Sequence, residues 1–181
     1  MALTKIRDSG LPAGSVLQVV SSTKLDAFTS TSTSLVDITG TDENGSGSVW
    51  ECNITLSSSS NKDLIMAHTS LVAGDAGAGL VLFRDSTQIY KGDASGSSKN
   101  RFSMTGIYGS SSANNTFGGG VSHVHYLDSP SSTSALTYKF QTMIRATTLY
   151  INQTIYDTDN DNASRTPSSL TLMEIAGWVI L

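Results

Sequence analysis

The segment WECNITL (residues 50–56) alternates apolar with polar side chains, and the segment YKFQTMI (residues 138–144) does the same. A period of two places successive side chains on opposite faces of a β-strand. A third alternating segment, VSHVHYL, spans residues 121–127, and its more apolar set is Val121, His123, His125 and Leu127. Together these segments predict an all-β domain whose strands each bury one face.

The composition is typical of extracellular or virion β-proteins. The 181 residues, enough for one domain with its own core, include 30 Ser and 21 Thr, while charged residues make up only 14%. Soluble proteins usually contain about 25% charged residues. The net charge of −4 offers no basic field to nucleic acid or anionic lipid, and no apolar run could span a bilayer. We therefore expect neither nucleic-acid binding nor membrane insertion.

Two further features limit the chemistry of the chain. Its N-terminal residues lack the continuous apolar segment of a secretory signal, so we expect none. Cys52 is the only cysteine, which excludes an intrachain disulfide, and its position on the apolar side of its strand predicts a small buried side chain. No Gly-x-Ser-x-Gly elbow is present, and we predict a protein that is not an enzyme and uses no cofactor.

The chain is predicted to divide into an N-terminal arm, residues 1–14, and a sandwich domain, residues 15–181. The arm ends in the breaker cluster SGLPAG, and turn clusters separate the strands that follow. No segment has a sustained helical period. The predicted strands span residues 15–21, 27–29, 34–39, 48–57, 63–71, 79–84, 88–91, 101–108, 120–127, 136–146, 148–154 and 169–181. This pattern predicts an antiparallel β-sandwich of the jelly-roll type.

The last predicted strand is the most apolar part of the chain. Nine apolar residues between 170 and 181 break strict alternation, which indicates that both faces of the strand are covered. One face should contact the core of the domain itself. The other contacts either a long loop or a neighbouring subunit, and we predict that Trp178, Ile180 and Leu181 lie at a subunit interface.

Eight stretches of the chain carry a resemblance to a known family. They are GLPAGSVLQVV (10–20), FTSTSTSLVDITG (28–40), SSNKDLIM (59–66), LFRDST (82–87), YLDSP (126–130), YKFQ (138–141), TLYIN (148–152) and SLTLMEI (169–175). In the same order, they resemble a domain common in tail-fibre-like and other virion structural proteins of marine bacteriophages. The resemblance implies a trimeric jelly-roll-like sandwich, similar to the TNF/C1q type, on the outside of a virion.

The resemblance also implies a function. We expect a non-enzymatic homotrimer, assembled in the host cytoplasm and located in the virion, whose arm docks on another capsid or tail protein. Fourteen extended residues reach roughly 40–50 Å, enough for one neighbouring protein but not for a fibre shaft. This length favours a capsid decoration protein or a short head or tail fibre.

The alternative function is recognition of a host surface glycan. Tyr90, Tyr108, Tyr126 and Tyr156 lie in or beside predicted loops, where a phenol ring can stack on a sugar. The candidate glycan-binding residues are Tyr108, Tyr156 and Asp157. Tyrosines near strand ends can instead simply cover the core.

His123 and His125 form the first candidate metal site. They share one face of a strand, and copies around a threefold axis would bring six imidazoles together. Val121 and Leu127 flank them on that face, which favours the alternative that the histidines only form hydrogen bonds. We therefore expect no bound metal here.

Asp157, Asp159 and Asp161 form the second candidate metal site. Their alternate positions resemble the start of a calcium loop. An EF-hand requires Gly and Glu where this chain has Asn162 and Ser168. An acidic surface loop without a metal is the preferred interpretation.

Overall fold

The computed structural model describes residues 11–40, 48–74, 77–108 and 120–177, with backbone only at 107 and 108. Within these ranges the chain forms strands and turns, and no helix there could cross a membrane. The prediction of an all-β antiparallel sandwich is confirmed. The strands are β1 (Val16–Lys24), β2 (Phe28–Ser30), β3 (Val36–Asp37), β4 (Glu51–Thr55), β5 (Lys62–Ala73), β6 (Gly79–Arg84), β7 (Thr87–Ile89), β8 (Met104–Thr105), β9 (Ile107–Tyr108), β10 (Val121–Asp128), β11 (Ala135–Met143), β12 (Leu149–Ile151) and β13 (Ser168–Ile175).

Strand β5, which is 12 residues long, is the central strand of the first sheet. Strands β13 and β10 pair with its two sides over most of its length. Strands β12 and β9 pair with its last residues, and β9 runs parallel to it whereas the other described pairs are antiparallel. Strand β1 lies beyond β13 and β2 beyond β12, which gives the order β1-β13-β5-β12-β2.

Strand β11 is the central strand of the second sheet. It pairs with β6 on one side and with β4 and β3 on the other. Strands β7 and β8 continue the sheet beyond β6. The strand pairs are therefore nested along the chain: β1 pairs with β13, β3 and β4 with β11, β5 with β10, and β6 with β7 and β8.

Two of the three alternating segments bury the face that the sequence predicts. No inward residue of either segment is more than 5% exposed, and these residues are Trp50, Cys52, Ile54, Leu56, Tyr138, Phe140, Thr142 and Ile144. The rings of Trp50 and Phe140 stack with their centroids 5.8 Å apart. Because each large buried side chain contributes about 1.5–3 kcal/mol, these two segments supply much of the core.

Strand β10 buries the opposite face from the predicted one. Val124 is 2% exposed, whereas Val121 and Leu127 are 63% and 51% exposed, and the two histidines between them are exposed as well. Val124 lies opposite Ala67, an inward residue of β5. The register with β5 therefore decides which face is buried, and the sequence prediction for this strand is wrong because both of its sides carry apolar residues.

Strand β13 lies between β1 and β5 and is thus a central strand. Leu170 and Leu172 are fully buried, while Met173 and Ile175 on the other face are half-buried. The inward face accordingly contacts the core of the domain, as predicted.

The base of the arm and the end of β13 are joined. The N–H of Gly14 donates to the carbonyl of Ala176 at 2.9 Å, and the N–H of Ala176 donates to the carbonyl of Ser15 at 2.8 Å. Residues 1–10 of the arm lie outside the described residues, and so do the predicted interface residues Trp178, Ile180 and Leu181.

Asn152, directly after β12, connects several strands through its side chain. It is fully buried and has a φ of 62°. Its amide nitrogen donates to the carbonyls of Lys24 and Asp26 at 3.0 and 3.1 Å, and its Oδ1 accepts from Ser168 Oγ at 2.6 Å. Thr69 Oγ1 lies 2.7 Å from Ser168 Oγ, which extends the network to β5. Asparagine tolerates a left-handed φ better than most residues. It can therefore adopt the backbone conformation required here while its side chain donates hydrogen bonds to the buried carbonyls.

Asn152→Ala should lower the free energy of unfolding by about 2–4 kcal/mol, because buried polar groups lose a partner and alanine is strained at this φ. Urea unfolding monitored by tryptophan fluorescence measures the loss. The control is Asn100→Ala at an exposed asparagine, which should change the stability by less than about 0.5 kcal/mol. Equal losses in both variants would contradict the role given to Asn152.

Candidate functional site

Three carboxylates lie side by side on the inner face of the first sheet. Asp128 of β10 and Glu174 of β13 both pair with Asp63 of β5, one on each side. Side chains of directly paired residues point to the same face, with Cβ atoms about 4.5–5.5 Å apart. The exposed fractions of Asp128, Asp63 and Glu174 are only 4%, 0% and 1%. We call these three residues the acidic row.

Glu174, at one end of the acidic row, accepts hydrogen bonds from three residues. Ser57 donates through its N–H and Oγ to Oε1 at 2.6 and 2.7 Å, Asn61 Nδ2 donates to the same oxygen at 2.6 Å, and Gln18 Nε2 donates to Oε2 at 2.8 Å. Burial alone would raise the pKa of Glu174, but these hydrogen bonds hold that pKa below its usual range. Glu174 is therefore ionised at neutral pH.

Asp128, at the other end of the acidic row, is held by the second sheet. Arg84 Nη1 of β6 donates to Oδ2 at 2.6 Å, and Tyr138 Oη of β11 donates to the same oxygen at 2.8 Å. The N–H of Ser129 donates to Oδ1 at 2.8 Å. The ion pair with Arg84 compensates the charge of Asp128 and links the two sheets.

Asp63, in the middle, is fully buried, yet neither of its carboxylate oxygens has a hydrogen-bond partner among the described residues. The single hydroxyl proton of Tyr138 is donated to Asp128 instead. Burial raises the pKa of Asp63 to about 7, with the negative charges of Asp128 and Glu174 adding to the rise and the nearby Tyr138 hydroxyl and Met173 N–H opposing it. Asp63 thus exchanges a proton near neutral pH, far above the usual range of an aspartate.

A second row on the opposing sheet faces the acidic row. Tyr138 pairs with Cys52 on one side and with Arg84 on the other. Burial, and then the charge of Asp63, raises the pKa of the Cys52 thiol to about 11, and the same two causes raise the pKa of Tyr138. Cys52 and Tyr138 therefore stay protonated at neutral pH, and Arg84 supplies the positive charge of this row.

The acidic row can take up and release a proton, but it does not present a carboxylate to a substrate. General acid–base catalysis requires the substrate to come within hydrogen-bond reach of the acid or base. Each carboxylate of the row is at most 4% exposed in the described structure. This geometry therefore supports proton uptake and release by Asp63, a buried group of β5 that lies between its partner strands β10 and β13.

Sequence reasoning missed the acidic row, although the sequence contained a signal for it. Asp63 is in phase with Ile65 and Ala67, which are buried residues of β5, and Glu174 is in phase with Leu170 and Leu172 of β13. An acidic residue in the buried phase of a strand indicates either a partner or a raised pKa. The pairing of residues so distant in the chain was visible only in the fold.

The histidines lie on the outer face of the first sheet. His123 and His125 are exposed, and their ring centroids are 6.2 Å apart. His68 lies opposite His123 on β5, and its Nδ1 is 3.0 Å from Ser169 Oγ. Together the three histidines line a shallow cavity of about 200 Å³. In the part of the chain that the structure describes, no group of three or more His, Cys, Asp or Glu side chains is placed to hold a metal ion.

The acidic loop after β12 is internally paired. Arg165 Nε donates to Asp157 Oδ1 at 2.8 Å, and Arg165 Nη2 donates to Asp157 Oδ2. These hydrogen bonds hold the pKa of Asp157 below its usual range. Asp159 and Asp161 are exposed in the same loop, which borders an open cavity of about 420 Å³. A guanidinium therefore binds the carboxylate that begins the predicted calcium loop.

The tyrosines considered for glycan binding have different environments. Tyr156 is 53% exposed and lies next to Asp157. Tyr126 is half-buried, and its ring stacks on that of Tyr90 with the centroids 4.6 Å apart. The side chain of Tyr108 lies outside the described residues. Two of the three candidate glycan-binding residues, Tyr156 and Asp157, lie side by side because they are neighbours in the chain.

The outer face of the first sheet also carries four apolar residues in register. Val19, Met173, Leu64 and Leu127 follow one another across β1, β13, β5 and β10. Val19 and Leu127 are 53% and 51% exposed, and the other two are half-buried. We call these four residues the apolar row. A contiguous exposed apolar patch of this kind commonly marks an interaction surface.

Comparison with known proteins gives no family assignment. No protein-family model matches the chain, and no curated protein has a matching sequence. The acidic row and the apolar row are therefore interpreted from their own geometry.

Tyr138→Phe should lower the free energy of unfolding by about 1.5–3 kcal/mol, the usual contribution of a hydrogen bond to a charged group. The ring stays in the core, but the buried carboxylate of Asp128 loses a donor. Tyr126→Phe, at a half-buried ring on the strand edge, is the matched control, and we expect a loss below about 1 kcal/mol. Chemical denaturation of the two variants side by side measures both losses in the free energy of unfolding. An unchanged stability of Tyr138→Phe would contradict the prediction.

Proposed function

We propose that the protein is a non-enzymatic virion structural protein of a bacteriophage. It forms a trimeric surface appendage, either a capsid decoration protein or a short head or tail fibre. The observation that carries the proposal is the exposed apolar row on the outer face of the first sheet. An exposed apolar row of this kind is suited to packing against another protein surface, and the family resemblance implies that this surface is a second copy of the chain.

The chemistry of the outer face favours a second copy of the chain as its occupant. The row next to the apolar row consists of Ser21, Thr171, Met66 and His125. Among the described residues of this face, Lys62 is the only side chain with a permanent charge. Because the whole chain carries a net charge of −4, copies repel one another at most surfaces but can meet at this face, which carries no acidic side chain among its described residues.

The strand order supports a jelly roll as the finer description of the sandwich. If β3 with β4, and β7 with β8, are counted as single interrupted strands and the short strands β2, β9 and β12 are left aside, eight strands remain and form four nested antiparallel pairs. Eight strands wound as two Greek keys define a jelly roll. Nested pairing from the first and last strands inward is the order expected of that winding.

The virion location is tested directly on phage particles. Mass spectrometry of particles purified from the phage that encodes this chain should detect it as a stoichiometric component. Cryo-electron microscopy should then place threefold density of this size on the head or the tail. Absence of the chain from purified particles would refute the proposal.

Leu127→Lys should convert the trimer to a monomer while leaving the folded domain intact, because Leu127 is already half-exposed in the single chain. Sedimentation velocity should show a mass three times the 19.0 kDa of the chain for the wild type and a single-chain mass for the variant. The matched control is Leu25→Lys, since Leu25 is equally exposed at 53% but lies beyond the end of β1. A trimer that survives Leu127→Lys would show that the apolar row is not the interface.

Recognition of a host glycan is the alternative function, and one observation favours it. Tyr156, which is 53% exposed, directly precedes Asp157, which borders the open cavity together with Asn160 and Arg165. An aromatic ring beside clustered carboxylate, amide and guanidinium groups can stack on a sugar and bind its hydroxyls.

Tyr156→Ala should weaken binding on a glycan array by about tenfold if this alternative is correct. The loss of a stacking ring typically costs about 0.5–1.5 kcal/mol beyond the buried area. Tyr90→Ala, which alters an exposed tyrosine elsewhere, should retain binding. An array without any bound glycan for the wild type would remove the alternative and leave the structural function in place.

A further inference from the structure

We propose that the acidic row is a proton-operated latch between β5 and β10: the end of β10 stays docked while Asp63 carries a proton and loosens when Asp63 loses it. The proposal stands on three geometric facts. Asp63 pairs directly with Asp128 and Glu174, it is fully buried, and its oxygens have no hydrogen-bond partner among the described residues.

The groups that face Asp63 come from its neighbouring strands in the first sheet and from the second sheet across the core. Asp128 approaches from β10 and Glu174 from β13, and both are negatively charged in the arrangement described above. Across the core, Tyr138 of β11 and Cys52 of β4 face it, and Arg84 of β6 reaches the row through its ion pair with Asp128. No cation among them pairs directly with Asp63 itself.

The two protonation states of Asp63 have opposite effects on the row. A protonated Asp63 is neutral and can donate its O–H to a carboxylate oxygen of a neighbouring strand, which joins the strands. An ionised Asp63 has released that proton to solvent and is a third negative charge between Asp128 and Glu174. Like charges on directly opposed residues destabilise strand pairing, and the effect is larger where water is excluded.

The repulsion that follows ionisation of Asp63 should separate β10, rather than β13, from β5. Glu174 belongs to a central strand and is fixed by Ser57, Asn61 and Gln18. Asp128 is also held, by Arg84 and Tyr138 of the second sheet, but it is the last residue of β10, and among the described strands β10 pairs only with β5. An edge strand can separate from one neighbour without breaking a second ladder, so the end of β10 is where opening costs least.

The sign of the pH effect follows from linkage. The unfolded chain releases the proton of Asp63 near pH 4, whereas the folded chain keeps it until about pH 7. Between these values the folded state binds more protons, so the contribution of Asp63 to stability is complete below about pH 4 and declines until pH has passed 7. This latch is independent of the proposed virion function and of trimer formation.

Hydrogen exchange at pH 5.5 and 8.5, corrected for the intrinsic exchange rate, tests the latch. In the wild type, protection of residues 124–128 should fall about tenfold or more, because each pH unit above the pKa multiplies the ionised-to-protonated ratio by ten. In Asp63→Asn, which imitates the protonated acid, the fall should be less than about twofold over the same interval. Asp93→Asn, at an exposed aspartate, should behave like the wild type. Repeating the pair of measurements in the Leu127→Lys background removes any contribution from association.

The outcomes separate clearly. Equal pH dependence in the wild type and Asp63→Asn would overturn the proposal, and so would a loss of protection spread evenly over all strands, because the latch predicts a local opening. If Asp63→Asn fails to fold, a pH titration of the wild-type side-chain carboxyl groups followed by carbon-13 NMR tests the latch instead. A resonance of Asp63 that titrates near pH 7 supports the latch, and titration near pH 4 refutes it.

Discussion

The hydrogen-bonded register of β5 determines most of what this protein presents on either face of its first sheet. β5 pairs with β13, β10, β12 and β9, so each of its residues aligns a row of side chains across several strands. Inward rows meet the second sheet and form the core, and outward rows remain on the surface. A shift of one residue would exchange the two sets, which makes the register a single constraint with consequences on both sides.

The acidic row shows how much polar chemistry this constraint can hold inside a sandwich. Burying a charge is unfavourable unless partners compensate it, and the two ends of the row meet that condition in different ways. Glu174 uses neutral donors from nearby loops, whereas Asp128 uses a cation and a phenol from the opposite sheet. Asp63 has neither, so the least unfavourable solution is to keep its proton. One position in an otherwise consistent core is therefore sensitive to pH.

The outer face follows a different rule. The outer face of the first sheet mixes hydroxyl, imidazole and apolar side chains, and the apolar row is the part of it where apolar residues of four strands lie side by side. Its members come from β1, β5, β10 and β13, which are far apart in the sequence. The row exists because the register places one apolar residue from each of the four strands side by side.

The sequence by itself determined the all-β class, the positions of most strands, and the buried faces of β4 and β11, because strict alternation has only one solution when one side is apolar. It did not determine the buried face of β10, where Val124 competes with Val121 and Leu127, and the register with β5 settled the choice. It likewise could not show the acidic row. Local patterns report which residues share a face of one strand, whereas a site built from three strands depends on long-range pairing, and only the tertiary structure decides that pairing.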